Sequence, residues 1–288
     1  MNDKNKEEEV KVLKEARMEY PTWDEIKKLL GVQFDNPELF DNNPLSIDKE
    51  NASIYSNIDG NIIKKYDEKT PCGIDIPVLL KPKSETDKPL IVILGESALR
   101  NKAELEGIKD PKNAPNNVIL GTPYAIHLKE CPPKCGVYRK IFDAILEKGY
   151  PIYITDIIKV WWKEKKLVPD KNLDITVFNM ELKKLKDSYD DIIIVAWGKT
   201  AQNGLEKVRK DLEVEVPPSQ VPRSLSLPHP GVQNWDAWKL KIFADAIYNK
   251  GINYAKKYYE NSETPTTDET VVKVAMEEIL SFISNPEK

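Results

Sequence analysis

Four side chains able to do acid–base or ionic chemistry stand where apolar runs of this sequence end. Glu96 follows "PLIVILG", Asp156 lies in "IYITDIIK", Lys199 follows "DIIIVAWG", and His229 sits in "LPHPG". A carboxylate can steady a developing cation or orient a water, and an imidazole can donate a hydrogen bond to a leaving group. Asp156 raises a question of its own. An ionised carboxylate inside a packed strand is costly unless it is paired or belongs to a site. His229 is clamped between Pro228 and Pro230, which restrict the backbone around it. That stiffness suits a side chain whose position matters, and equally a rigid turn that happens to carry a His.

Other patterns are less specific. "KVWWKEKK" (159–166) sets basic residues around Trp161 and Trp162. Basic residues interleaved with aromatics suit single-stranded or flipped nucleic acid, and equally a solvated loop whose Trp rings pack inward. Cys131 and Cys135 form a close pair with Cys72 distant. Three Cys alone fall short of the usual four-ligand zinc or iron–sulfur set, and although His127 could in principle be a fourth ligand, the spacing is not that of a standard ribbon. Free or buried thiols are the favoured reading, and no metal is expected. Neither a Gly-x-Gly-x-x-Gly run nor a Walker loop is present.

The elements that must hold these residues alternate. Apolar runs at 89–96, 151–162 and 191–198 read as strands buried on both faces, and 224–231 as a short last strand. Between and after them, 136–149, 172–189, 199–212 and 235–260 carry helical spacing. This rhythm predicts an α/β fold, a three-layer αβα sandwich with a parallel sheet of about four strands. Ligands of such sheets bind at the carboxyl ends of the strands, where Glu96, Asp156, Lys199 and His229 all fall. The remainder reads as an N-terminal extension over 1–80 and, after a core over 81–256, a linker and C-terminal helix over 257–288. Within the extension, 4–17 reads as a solvated amphipathic helix and 22–31 as a helix capped by Thr22. Residues 33–70 read as loops with short elements.

Composition bounds the partners. The 288-residue chain carries 43 Lys and Arg against 47 Asp and Glu, a net charge of −4, so no global basic field advertises a polyanion. Any nucleic-acid contact must come from a local patch. The odd Cys count argues against a disulfide framework. The polar start and the lack of a long apolar run predict a cytoplasmic protein without membrane contact.

Taken in order, the strand-end motifs resemble the uracil-DNA glycosylase superfamily over roughly residues 86–250. "IVILGES" is similar to its first motif, and "YAIHLKECPPKCGVYRKIFDAI" to the segment whose aromatic residue stacks on the base. "YITDIIKVWW" looks like the recognition strand, "IIIVAWGKTAQNGL" like the following strand–helix unit, and "LSLPHPGVQNW" like the His-Pro motif. The resemblance implies a parallel sheet between helices and hydrolysis of the N-glycosidic bond of a flipped nucleotide, with DNA as partner and no cofactor. It implies Glu96 and His229 as catalytic groups, with Asp156, Tyr124 and Gly95 around the base. Ser97, Lys199, Thr200, Gly231, Lys159 and Trp161 would meet the DNA, and Gln233 and Trp235 would fill the gap left by the flipped base. The sequence departs from the family at Ala98 and Leu99, where Pro and then Gly or Tyr are common. Ser97 also stands where another branch carries its catalytic Asp.

Asp156 takes the place of an Asn that reads uracil. An ionised Asp only accepts. It suits the exocyclic amine of cytosine better than uracil O4. Removal of ordinary cytosine would destroy the host's own DNA, so a modified cytosine, such as that of hypermodified phage DNA, and a role in defence are expected. A protonated Asp156 would donate, and uracil or deaminated-base repair stays open. So do a non-catalytic DNA binder on the same fold and, more remotely, an unrelated nucleotide-binding α/β protein.

Overall fold

The computed structural model describes residues 16–22, 25–26, 32–34, 54–58, 71–84, 86–96, 117–126, 136–162, 171–215, 217, 221–230 and 268–285. Eleven strands fall among them: β1 (Arg17–Glu19), β2 (Val32–Phe34), β3 (Ile54–Ile58), β4 (Pro71–Asp75), β5 (Val78–Lys81), β6 (Leu90–Gly95), β7 (Asn117–Gly121), β8 (Ile152–Asp156), β9 (Val160–Trp162), β10 (Ile192–Trp197) and β11 (Arg223–Leu227). The helices are α1 (Gly136–Glu147), α2 (Lys171–Lys186), α3 (Lys199–Glu215) and α4 (Asp268–Ser284), with a short 3-10 turn at Pro123–Ala125.

The main sheet has six strands in the order β1-β5-β8-β6-β10-β11. β8, β6, β10 and β11 run parallel, and β5 and β1 extend the β8 edge antiparallel. The expected α/β class holds, and the sheet is wider than expected because β5 and β1 join it. Their apolar strand β5 covers the otherwise open edge of β8.

Alternation along the strands sorts the core into two layers. Ile91, Ile93, Ile152, Ile154, Val195 and Trp197 pack with Tyr138, Ile141, Phe142 and Ile145 of α1 and with Val271, Ala275 and Ile279 of α4. Leu90, Val92, Leu94, Tyr153, Ile194 and Ala196 pack with Phe178, Leu182 and Leu185 of α2 and Ala201, Leu205 and Val208 of α3. Burial on both faces is why these strands are continuously apolar, each such side chain contributing about 1.5–3 kcal/mol.

Of the described residues before 81, those of β1 to β5 are built into the two sheets. The expected boundary between 80 and 81 falls inside β5. Arg17, expected at the end of a helix, pairs as a strand residue with Lys81. At Thr22 the carbonyl accepts Ile26 N–H at 3.1 Å, as a helix start requires, while the hydroxyl meets the Tyr153 hydroxyl at 2.7 Å. A second sheet, ordered β2-β3-β7-β4-β9, takes three strands from this region. Its β7 leads directly into the turn bearing Tyr124, and its β9 begins just after Lys159. The single strand expected over 151–162 is therefore two strands in different sheets, separated at 157–159. The helix expected over 235–260 lies outside the described residues. No helix among the described residues is long and apolar enough to cross a membrane.

Candidate functional site

Within the parallel strands, β6 connects to β8 on one side, and the chain then crosses to β10 on the other. The strand order reverses between β6 and β10, and the crevice at the carboxyl ends of these strands is where such a sheet receives a ligand. Gly95 ends β6 and pairs in register with Asp156 at the end of β8. Hydrogen bonds continue the pairing beyond the strands, from Ile157 N to Gly95 O and Ile158 N to Glu96 O, both 3.0 Å.

Three of the residues expected around a base converge here. A Cβ on Gly95 would stand 2.1 Å from Asp156 Oδ1 and 2.6 Å from the Tyr124 hydroxyl. Only a residue without a side chain leaves room for both. Asp156 is 3% exposed. Tyr124 has φ 57° and ψ 19°, the one non-glycine residue with positive φ among the described residues. That conformation costs a bulky residue of order 1–3 kcal/mol and is kept where surrounding structure enforces it. Here the enforcement is aromatic. The Tyr124 ring lies 4.4 Å from that of Tyr138 and 5.7 Å from those of Phe142 and Trp197. Packing thus occupies part of a ring expected to stack on a base, and its hydroxyl reaches the Gly95–Asp156 corner.

His229 joins the same aromatic group. Its ring meets Tyr138 edge-on at 5.4 Å, and the Tyr138 hydroxyl stands 3.1 Å from Nδ1. Burial lowers its pKa below the usual 6.5, because desolvation disfavours the imidazolium. Gly198, at φ +83°, turns the chain out of β10, and a Cβ there would lie 3.3 Å from His229 Cβ. Gly198 N donates to Leu227 O at 3.0 Å and Gln202 Nε2 to the same oxygen at 2.9 Å. The first turn of α3 therefore holds the backbone from which the Pro-His-Pro segment departs.

Glu96 is exposed beside this cluster, next in chain to Gly95. Lys199 is exposed and Thr200 half-buried in the first turn of α3, where unpaired backbone N–H groups favour anions.

Lys159 is placed differently from the expectation. Rather than meeting DNA it is 1% exposed, with Nζ 2.6 Å from Glu181 Oε1. It also contacts Thr155 Oγ1, which donates to Glu181 Oε2 at 2.8 Å. Tyr153 and Thr22 complete a buried polar group on the α2 face of the sheet. The short break between β8 and β9 turns the Lys159 stem inward, where Glu181 of α2 supplies the opposite charge. Burial raises the Glu181 carboxyl above its usual 4.5, with Lys159, Thr155 and Tyr153 acting in the other direction. Trp161 lies in β9, its backbone paired with Gly73. Ser97, Gly231, Gln233, Trp235, His127, Cys131 and Cys135 lie outside the described residues. Among the described residues no three His, Cys, Asp or Glu converge as metal ligands.

Sequence reasoning missed Tyr138, Trp197, Gln202 and Glu181. Tyr138 and Trp197 occupy ordinary core positions of a helix and a strand, and Glu181 reads as one polar residue of an amphipathic helix. Only Gln202 carried a signal, as a polar residue in the helix turn that follows a strand-end glycine. No family model, no curated protein and no solved structure matches this chain.

Proposed function

We propose that the protein is a DNA glycosylase of the uracil-DNA glycosylase type, acting in the cytoplasm on a nucleotide flipped out of DNA. The observation that carries this reading is the convergence of Asp156 Oδ1 and the Tyr124 hydroxyl on Gly95, immediately before Glu96. A buried acceptor beside an exposed carboxylate, at the carboxyl ends of adjacent parallel strands, suits a site that reads a base while acting on its sugar.

In the reaction the C1′–N bond breaks and its electron pair leaves with the base. Water bonds to C1′ and gives up a proton, which the departing anionic base takes up. The Glu96 carboxylate opposes the positive charge that develops on the sugar and orients the water. His229, kept neutral by burial, donates an N–H to the base as it becomes anionic. Asp156 accepts from the exocyclic amine of a cytosine-type base. Lys199 and Thr200 suit phosphate contacts at the start of α3. A modified cytosine is the substrate this reading favours, because removal of the ordinary base would be lethal, and the modification found in phage DNA gives the enzyme a defensive role.

The burial of Asp156 favours one second reading. Burying an ion is costly. A protonated Asp156 would donate to uracil O4, which makes deaminated cytosine the substrate. Duplexes carrying uracil, cytosine or modified cytosines separate the two, with abasic sites cleaved by alkali and the released base identified by mass. Glu96→Gln and His229→Ala should abolish release while the thermal melt stays cooperative. Full activity in both variants would overturn the site assignment, and release of uracil alone would leave only the second reading.

A further inference from the structure

We propose that Thr155, Lys159 and Glu181 form a clasp that positions Asp156 and Glu96, by fixing the turn through which the chain leaves β8. The consequence for base release rests on the glycosylase reading, whereas the holding of the turn does not.

Thr155 and Asp156 are neighbours at the end of β8 and face opposite sides of the sheet. The Asp156 carboxylate lies by Gly95 and the Tyr124 hydroxyl, on the side of α1. The Thr155 hydroxyl lies on the side of α2, where it donates to Glu181 Oε2 at 2.8 Å. Lys159, four residues on, turns back to the same place, its Nζ meeting Thr155 Oγ1 and standing 2.6 Å from Glu181 Oε1. Both ends of the segment 155–159 are therefore tied to one carboxylate of α2. The residues between these ends hold the site. Ile157 N donates to Gly95 O and Ile158 N to Glu96 O, both at 3.0 Å, so the turn fixes the backbone that carries Glu96. Ile157 also seats against α3, where a Cβ on Gly204 would stand 2.5 Å from Ile157 Cγ1. A buried ion pair adds little net stability over well-packed apolar side chains. What this one adds is direction, since its charged and hydrogen-bonded ends set where the turn begins and where it closes.

Amide hydrogen exchange and base release in the full chain provide the test. Thr155→Val keeps the shape and removes the hydroxyl. Exchange at Ile157 and Ile158 should quicken about tenfold, as for one lost hydrogen bond to a charged group, while the amides of β10 keep their protection. Misplacement by about 1 Å costs about 10²-fold in rate, so a loosened turn should lower kcat about tenfold with KM little changed. Thr155→Ser keeps the hydroxyl and should restore both readings. Lys159→Met with Glu181→Leu, expected to be as stable as wild type, separates the clasp from stability: exchange at the turn should still be fast and kcat low. Unchanged exchange at Ile157 and Ile158 in a folded variant, equal quickening across β10, or a kcat that recovers with stability in the double variant overturns the proposal. Selective quickening at the turn in a chain whose wild type releases no base would support the clasp and remove only the glycosylase reading.

Discussion

Removing the carboxylate from the buried Lys159–Glu181 pair is the sharpest perturbation this fold offers. Glu181 is 0% exposed and Lys159 1% exposed, 2.6 Å apart. Glu181→Leu removes the anion that opposes a buried ammonium, and breaking a buried pair this way costs about 3–5 kcal/mol. At about 2–4 °C per kcal/mol for a chain of this size, the melting temperature should fall by about 10 °C. Lys159→Met should cost less. Glu181 can then take up a proton and keep its bonds to Thr155 and Tyr153, so the loss is about 1–3 kcal/mol. Exchanging both partners, Lys159→Met with Glu181→Leu, should restore wild-type stability or exceed it, because apolar side chains avoid the desolvation that both ions suffer. The sign of the pH effect follows from burial. The Glu181 carboxyl is raised above 4.5, so between that value and its native pKa the folded state holds the extra proton. Its contribution is fully present below 4.5 and falls as pH rises through the native value. Urea unfolding at several pH values measures all of this, with unchanged m values marking intact two-state folding. Single variants within about 0.5 kcal/mol of wild type, the range of ordinary surface changes, would refute the reasoning. Weaker DNA binding by Lys159→Met at unchanged stability would restore Lys159 to the DNA.

Other outcomes follow from the same geometry. Gly95→Ala places a methyl 2.1 Å from Asp156 Oδ1. It should cost about 1–3 kcal/mol by overpacking and abolish base release, measured by denaturation and by abasic-site cleavage. Asp156→Asn should move base preference towards uracil, read by competition between uracil and cytosine-type duplexes, and an unchanged preference would remove Asp156 from base reading. His229 has a native pKa below 6.5, so the unfolded chain binds more protons just below that pH. Its contribution to stability is present above 6.5 and lost as pH falls through the native value. His229→Gln should flatten that part of the stability–pH curve, as followed by thermal melts. Gly198→Ala strains a left-handed position and crowds His229 Cβ. It should cost about 1–2 kcal/mol and lower kcat, measured in single-turnover assays.

The sequence by itself determined the alternation of strands and helices, and with it the α/β class. Runs such as "LIVILG" and "IIIVAW" are apolar throughout because helices cover both faces of the sheet, and that signal is local. It also placed Glu96, Lys199 and His229 at the carboxyl ends of strands, since each lies one or two positions beyond such a run, whereas Asp156 lies within its own and is the last residue of β8. Tertiary structure decided the rest. Short strands such as "RME" and "IYSNI" carry no period of their own and are held by partners distant in sequence. The inward turn of Lys159 depends on Glu181 of another element, and Tyr138 meets His229 across 91 residues of chain. Gly95 reads as an ordinary strand-end glycine until Asp156 and Tyr124 arrive from two other segments to fill the place of its missing side chain. Hydrophobic period is written along the chain, whereas close approach and charge pairing exist only once distant segments meet.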